Sequence, residues 1–261
     1  MYKSSDLMLP CEITEASQKS SCAFIPVSPA FEWHSYHLPL GTDALISEGV
    51  AEMAAEITGG IYFRALSFGL DQYRNKEQLN MWGFDERDKV FGMRFPELPV
   101  SSEYSQVQEM KLAVKNRLDA VRMSGFKYAF ILCHHGGGGQ CETLAKIAEE
   151  ETRDGFNVFF IKTGALVKAF HEHMKVGGHA GMSETLMLMA FRPELIDLSK
   201  LPEGILSVRK FGILHNKPEI ESQYNPRNVL ALAACELRKR LADAVSAFVK
   251  EKISSVGKNR T

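Results

Sequence analysis

Runs of apolar and β-branched residues alternate along the chain with stretches in which apolar residues recur every three or four positions. The runs predict strands at 22–27, 61–67, 89–95, 126–133 and 156–161, because short apolar segments bounded by turn residues suit buried strands. The periodic stretches at 45–57 and 107–123 predict helices with one buried face. Gly59-Gly60, Ser124-Gly125 and Asp154-Gly155 stand where helix C-caps are expected. A long terminal helix is predicted within 226–253, most regular over 228–249. Strands alternating with helices point to an α/β chain whose helices pack against a mostly parallel sheet. No repeat, Pro-rich linker or low-complexity tract divides the sequence, so 1–261 is expected to form one domain. The segment 192–225, rich in Pro and polar residues, is expected to be an irregular excursion, and 254–261 a frayed tail.

Composition narrows the class without naming a function. Of 261 residues, 45% are hydrophobic and 24% charged, as in a globular chain with a sizeable core. The longest apolar stretch, near 128–133, is far short of the roughly 20 residues a spanning helix needs. The opening residues lack the charged start and apolar run of a secretory signal, so a cytoplasmic location is expected. Cys11, Cys22, Cys133, Cys141 and Cys235 form an odd, scattered set without CxxC spacing, which suits reduced thiols better than a disulfide framework or a zinc knuckle. A net charge of −1 supplies no field to draw nucleic acid or an anionic membrane. A small-molecule partner is expected.

Five of the eight histidines fall in three short segments: His34 and His37, His134 and His135, and His179. In the first, Glu32 and His34 alternate along what reads as the end of an extended stretch, which projects both side chains to one side. Asp43 follows the turn Leu38-Pro39-Leu40-Gly41-Thr42, just before the helix expected near Leu45. Glu, His and Asp together offer the mixed nitrogen and oxygen donors that suit Zn²⁺, Mn²⁺ or Fe²⁺. Taken alone, Asp43 could equally be a helix cap.

The second segment carries more weight. The strand at 126–133 ends in His134-His135 and four glycines, and ligands of α/β sheets bind beyond the carboxyl ends of strands. Gly136 and Gly137 could offer backbone N–H groups to an oxyanion, with a helix starting at Gln140 or Cys141 aimed at the same place. A phosphate loop is the rival, but the Lys-Ser/Thr ending and the GxGxxG spacing are both absent. The third segment, Gly177 to Thr185, brings His179 and Glu184 on a glycine-rich loop into a helix, where Glu184 could merely serve the helix dipole. His171 and His173 read as structural, being two apart and thus on different helical faces. His215 stays unassigned.

These three segments resemble the creatininase (creatinine amidohydrolase) family, whose pattern runs Glu-x-His-Gly-x-His-Leu-Pro-Leu-Gly-Thr-Asp, then Asn-Gly-His-Gly-Gly-Asn, then a His-Ala-Gly segment with Glu-Thr. Residues 32–43 match at nearly every position. The resemblance implies a three-layer α/β/α sandwich with a mostly parallel central sheet. It also implies two divalent ions per chain, with Glu32, Asp43 and His135 around one and His34 with the bridging Asp43 around the other. In creatininases proper an acid two residues after the metal His completes the second ion; that position is Gly137 here, and Glu184 is the candidate to fill it. Cys133-His134-His135 replaces Asn-Gly-His, and Gly178 stands where creatininases carry Glu, so creatinine itself is not the substrate expected. The relatives also include a peptide-cleaving maturation enzyme, a formamide hydrolase and a hydrolase of oxidised inositols, and the resemblance suggests a hexamer. The implied chemistry is hydrolysis of an amide-type C–N bond, with His179 moving a proton and His37 and His134 orienting ligands or substrate. A lyase or hydrolase acting on an oxidised cyclic polyol, or a non-catalytic ligand-binding relative that kept the fold, are the alternatives.

Overall fold

A computed structural model describes residues 3–167, 178–215 and 219–258, so the expectations for His171, His173 and the end of the tail lie outside the described residues. The sheet forms around the two most apolar runs. Strands β1 (Cys22–Pro26) and β3 (Tyr128–Cys133) pair in parallel, Phe24 opposite Phe130 and Ile25 opposite Ile131. The short β2 (Ile61–Tyr62) adds to β1, and β4 (Asn157–Lys162) adds to β3, giving the all-parallel order β2-β1-β3-β4. Such strands must be covered on both faces, and alternation along them assigns the faces.

Phe24, Phe130 and Leu132 pack on one side against α2 (Thr42–Thr58), α6 (Met182–Met189) and α8 (Ala231–Lys258). Ala23, Ile25, Ala129 and Ile131 pack on the other side against α1 (Pro10–Lys19), α4 (Val107–Met123) and α5 (Gln140–Glu151). The result is the three-layer sandwich. Among the described residues, no helix is long and apolar enough to cross a membrane.

The expected helices at 45–57 and 107–123 are present, the first beginning earlier, at Thr42. Gly59 and Gly125 close their helices at φ of 71° and 86°. Asp154-Gly155 is corrected: α5 has already ended at Glu151, and the pair forms a two-residue turn between Arg153 and Phe156, which bond reciprocally at 3.0 and 2.8 Å. Both turn residues have positive φ, as a tight hairpin turn requires.

The expected strand at 89–95 is not one. Gly92 turns the segment at φ 56° and Val90, Met93 and Phe95 bury into a third apolar cluster, with Leu79 and Trp82 from around α3 (Lys76–Met81). Apolar spacing alone does not separate a strand from a loop that buries several side chains. The run expected at 61–67 is regular only over β2, after which Leu66 bridges back to Val27.

The described residues of 192–225 pack onto the same third cluster. They contribute 3-10 turns, the strand β5 (Leu206–Ser207) paired with β6 (Glu219–Ile220), and α7 (Val208–Phe211). The Phe211 carbonyl accepts a 2.8 Å bond from the Trp33 indole N–H. Gly212 follows at φ 65°, and a Cβ there would fall 2.5 Å from the Trp33 ring. This excursion therefore clamps the residue between Glu32 and His34.

Gly204 supplies the control, since it also has positive φ (86°) but open space around it. Gly204→Ala should cost only the left-handed backbone penalty, about 1–2 kcal/mol, whereas Gly212→Ala adds a collision and should cost about 3 kcal/mol or more. Urea denaturation of both variants measures the difference. Equal losses would mean that Trp33 is not cradled there.

Candidate metal centre

The site sits beyond the carboxyl ends of β1 and β3. After β1 the chain loops over the sheet edge, and the loop is closed by the Glu32 N–H donating to the Leu40 carbonyl at 3.0 Å. Within it Ser35 takes φ 64°, the conformation that the family's glycine reaches freely and a serine reaches at some cost. Asp43 lies inside the first turn of α2 rather than ahead of it, and the helix cap position is Gly41. Its carboxylate thus gains from the helix dipole without being used up as a cap. β3 delivers His135 two residues past its end, and Glu184 comes from the first turn of α6.

Three segments distant in sequence converge on one buried point. His135 Nδ1 lies 3.2 Å from Glu32 Oε2 and 3.1 Å from Asp43 Oδ2. His34 Nε2 lies 3.4 Å from Asp43 Oδ1 and 3.7 Å from Glu184 Oε2. The donor atoms of Glu32, Asp43 and His135 lie within 4.8 Å of one another, as do those of His34, Asp43 and Glu184, so Asp43 belongs to both sets through different oxygens. A third such set joins Glu32 and His34 to His179.

Both imidazoles are aimed by backbone carbonyls, which can only accept. Leu70 O lies 2.8 Å from His135 Nε2, and Glu32 O lies 3.0 Å from His34 Nδ1. In the neutral form, each ring therefore keeps its proton on the outer nitrogen and turns its lone pair inward. Tyr104 does the same for Glu32, donating to Oε1 at 2.7 Å and leaving Oε2 to the cluster. Glu32 Oε2, His34 Nε2 and Asp43 Oδ1 are buried with no hydrogen-bond partner among the described residues. Unpaired buried polar atoms are costly, and three aimed at one another call for a cation. The spacing fits, because ligands about 2.1 Å from a tetrahedral ion stand roughly 3.4 Å apart.

The protonation of the bare site reports the same crowding. Burial disfavours a charged His34, yet Asp43, Glu184 and Glu32 around it hold its pKa up at about 9. Burial likewise opposes the His135 proton, and Glu32 and Asp43 overcome it, raising the pKa well above the usual imidazole value. Against its own burial, the neighbouring imidazoles pull Asp43 well down and Glu32 to about 2. Burial pushes Glu184 up to about 8, with Asp43 and Glu32 adding to it.

The other predicted residues divide. His179 stacks on the His34 ring with centroids 4.3 Å apart and hydrogen-bonds through Nε2 to the Trp33 carbonyl. Its loop is tied rather than loose, since His179 and Leu214 exchange backbone bonds of 3.2 and 2.9 Å. Gly136, Gly137 and His179 line a cavity of about 390 Å³ that opens onto the cluster. His134 does not line it, because its ring is held at 2.7 Å by Thr163. His37 is buried behind the site, its Nε2 2.9 Å from the hydroxyl of Thr185, the residue after Glu184.

Gly137 has a steric reason: a Cβ there would fall 2.6 Å from His135 Nε2 and 2.9 Å from Leu70 O. Sequence reading missed Tyr104, Leu70 and the cavity wall formed by Asp71, Arg74 and Trp82. No local pattern marks them.

With this geometry in hand, the family model described as creatinine amidohydrolase matches residues 7–83 and 98–250. The chain belongs to that family. A crystal structure of creatinine amidohydrolase (creatininase) superposes with a TM-score of 0.70 at 14% identity, covering 95% of this chain and 96% of that one. A creatininase described as Mn superposes at 0.69 and 12% identity over 97% and 99%, and one described as Zn-Zn type at 0.69 and 15% over 96% and 98%. A Bacteroides fragilis protein, provisionally described as a creatinine amidohydrolase, gives 0.58 at 19% identity over 89% and 90%. At such identities the superpositions establish the fold. A search of curated protein sequences returned no significant match.

The pKa directions set a test on the metal-free protein. His34 and His135 bind protons more tightly folded than unfolded, so the stability they contribute is complete below the unfolded value of about 6.5 and lost as pH rises through the folded one. Glu184, raised to about 8, has the same sign. Chelated protein should therefore lose Tm between about pH 6.5 and 9, while protein loaded with a divalent ion, which replaces those protons, should hold its Tm over that window. A flat profile after chelation contradicts the assigned charges.

Proposed function

We propose that this chain is a metal-dependent hydrolase that opens an amide-type C–N bond of a small substrate at a dinuclear site. The observation that carries the proposal is the set of three unpartnered donor atoms, Glu32 Oε2, His34 Nε2 and Asp43 Oδ1, buried at metal-ligand spacing. In this reading Glu32, His135 and Asp43 hold one ion, and Asp43, His34 and Glu184 hold the other. Zn²⁺ and Mn²⁺ are the first candidates, since creatininases of the same fold are described with them. Ions held there would supply Lewis acidity, lowering the pKa of water so that hydroxide is available near neutral pH and polarising a substrate carbonyl.

The protein's own groups then have separate tasks. The cavity of about 390 Å³ admits a small molecule with the scissile bond toward Asp43 and Glu32. His179 is the proton carrier. Burial beside His34 lowers its pKa to about 4, so it is a neutral imidazole at working pH. With Nε2 engaged by the Trp33 carbonyl, Nδ1 can take a proton from the attacking water and return it to the leaving nitrogen. His37 supports Glu184 indirectly, holding Thr185 on the same helical turn.

Metal analysis tests the arrangement. Wild type should carry two ions per chain, Asp43→Ala should lose both, and Glu184→Gln and His34→Ala should each lose only the second. Retention of two ions by Asp43→Ala would refute the bridging role.

Turnover separates His179 from the ligands once a substrate is found among cyclic amides, formamides and oxidised inositols. His179→Ala should keep its metal and lose about 10²–10⁴-fold in kcat. Loss of metal would make His179 a ligand, and unchanged turnover would make it structural.

A further inference from the structure

We infer that Arg74 anchors a part of the substrate outside the reacting bond, and that this part carries a carboxylate. The inference rests on the dinuclear hydrolase reading for what the cavity holds, and it deepens that reading.

Arg74 is an unusual guanidinium. Its side chain is only 10% exposed, whereas a surface arginine is free to wave in solvent. Nη2 donates to Asp71 Oδ2 at 2.9 Å, Nε donates to the Gly92 carbonyl at 3.2 Å, and the group lies 5.4 Å from the Trp82 ring centroid. These three restraints remove the rotamer freedom that an arginine normally gives up on binding. No described residue bonds to Nη1, and Arg74 lines the same cavity as Glu32, Asp43 and His135. The Nη1 donors of a fixed guanidinium that lines the cavity are thus left without a bond to the described residues.

The partner that suits it follows from what surrounds it. Asp71 is engaged on both oxygens, Oδ1 accepting from the Gln72 N–H at 2.8 Å and Oδ2 from Arg74. What the pair presents is donors. Among the described residues, Arg74 is the one Arg or Lys lining the cavity. A carboxylate is the anion whose paired oxygens match a fixed guanidinium. The anchor also lies close to the chemistry, since the Asp71 carboxylate borders the His135 imidazole across Gly137.

The test uses zinc-loaded protein and calorimetric binding of two probes that differ in one group, N-acetylglycine and its neutral amide, N-acetylglycinamide. Wild type should bind the acid at least about 10-fold more tightly, the range of a hydrogen bond to a charged group. Arg74→Gln should bring the two probes to within about twofold while keeping its metal, and Arg74→Lys, which retains charge without the planar fork, should keep part of the preference. Equal binding by wild type, or an undiminished preference for the acid in Arg74→Gln or in Arg74→Lys and Arg74→Gln together, overturns the inference. Metal content measured on the same samples separates the two readings: fewer than two ions in wild type counts against the dinuclear hydrolase, whereas full metal without acid preference counts against Arg74 alone.

Discussion

Everything at this site depends on Asp43 standing between two imidazoles. Its oxygens face opposite ways, Oδ2 toward His135 at 3.1 Å and Oδ1 toward His34 at 3.4 Å, and the residue is 2% exposed. A carboxylate buried this deeply is tolerable only with positive charge on both sides. In the bare protein that charge comes from protons on the imidazoles, which is why both are held so firmly. Divalent ions placed in the same two gaps would supply it without protons. The proton load of the bare site and the proposed metal load are thus alternative solutions to one electrostatic problem, and the orphaned atoms mark where they exchange.

The scaffold makes that placement possible by putting rigid elements under each ligand. Asp43 rides on the first turn of a 17-residue helix, His135 follows a strand that is buried on both faces, and Glu184 begins a helix packed in the same apolar layer as α2. Glu32 and His34 are the exception, because they lie on a loop. Their position is set by the Leu40 and Glu32 carbonyls, by Tyr104 and by the clamp on Trp33 from the 208–212 turn. An excursion that looks peripheral in sequence therefore holds the least regular part of the site.

What was legible in the sequence was local. Residues 32–43 carry three of the proposed ligands within twelve positions and the strand end at Cys133 leads to His135, but the ligand set itself came from the resemblance to the creatininase pattern. Glu184 could be found because its loop repeated the pattern of a His and an acid entering a helix. Tyr104, Leu70 and Arg74 could not be found, since each reaches the site through the 66–105 region. There the periodicity of 89–95 read as a strand, while Gly92 in fact folds it into a turn against the Tyr104 ring. Asp154-Gly155 misled for a related reason, as a residue pair suited to positive φ serves a helix cap and a hairpin turn equally well.

At position 137 the packing leaves no room for a side chain. An acid at Gly137 would have to pass the His135 ring and the Leu70 carbonyl at distances no side chain accepts. That carbonyl cannot retreat, because it fixes the His135 tautomer. The close approach of residues 70–71 brings Asp71 and Arg74 to the cavity wall at the same stroke. In the proposed site the carboxylate for the second gap comes from across the cavity, where Glu184 stands 3.7 Å from His34 Nε2. In the proposed site the acid on α6 and the inward wall at residues 70–74 thus shape the metal surroundings and the substrate space together.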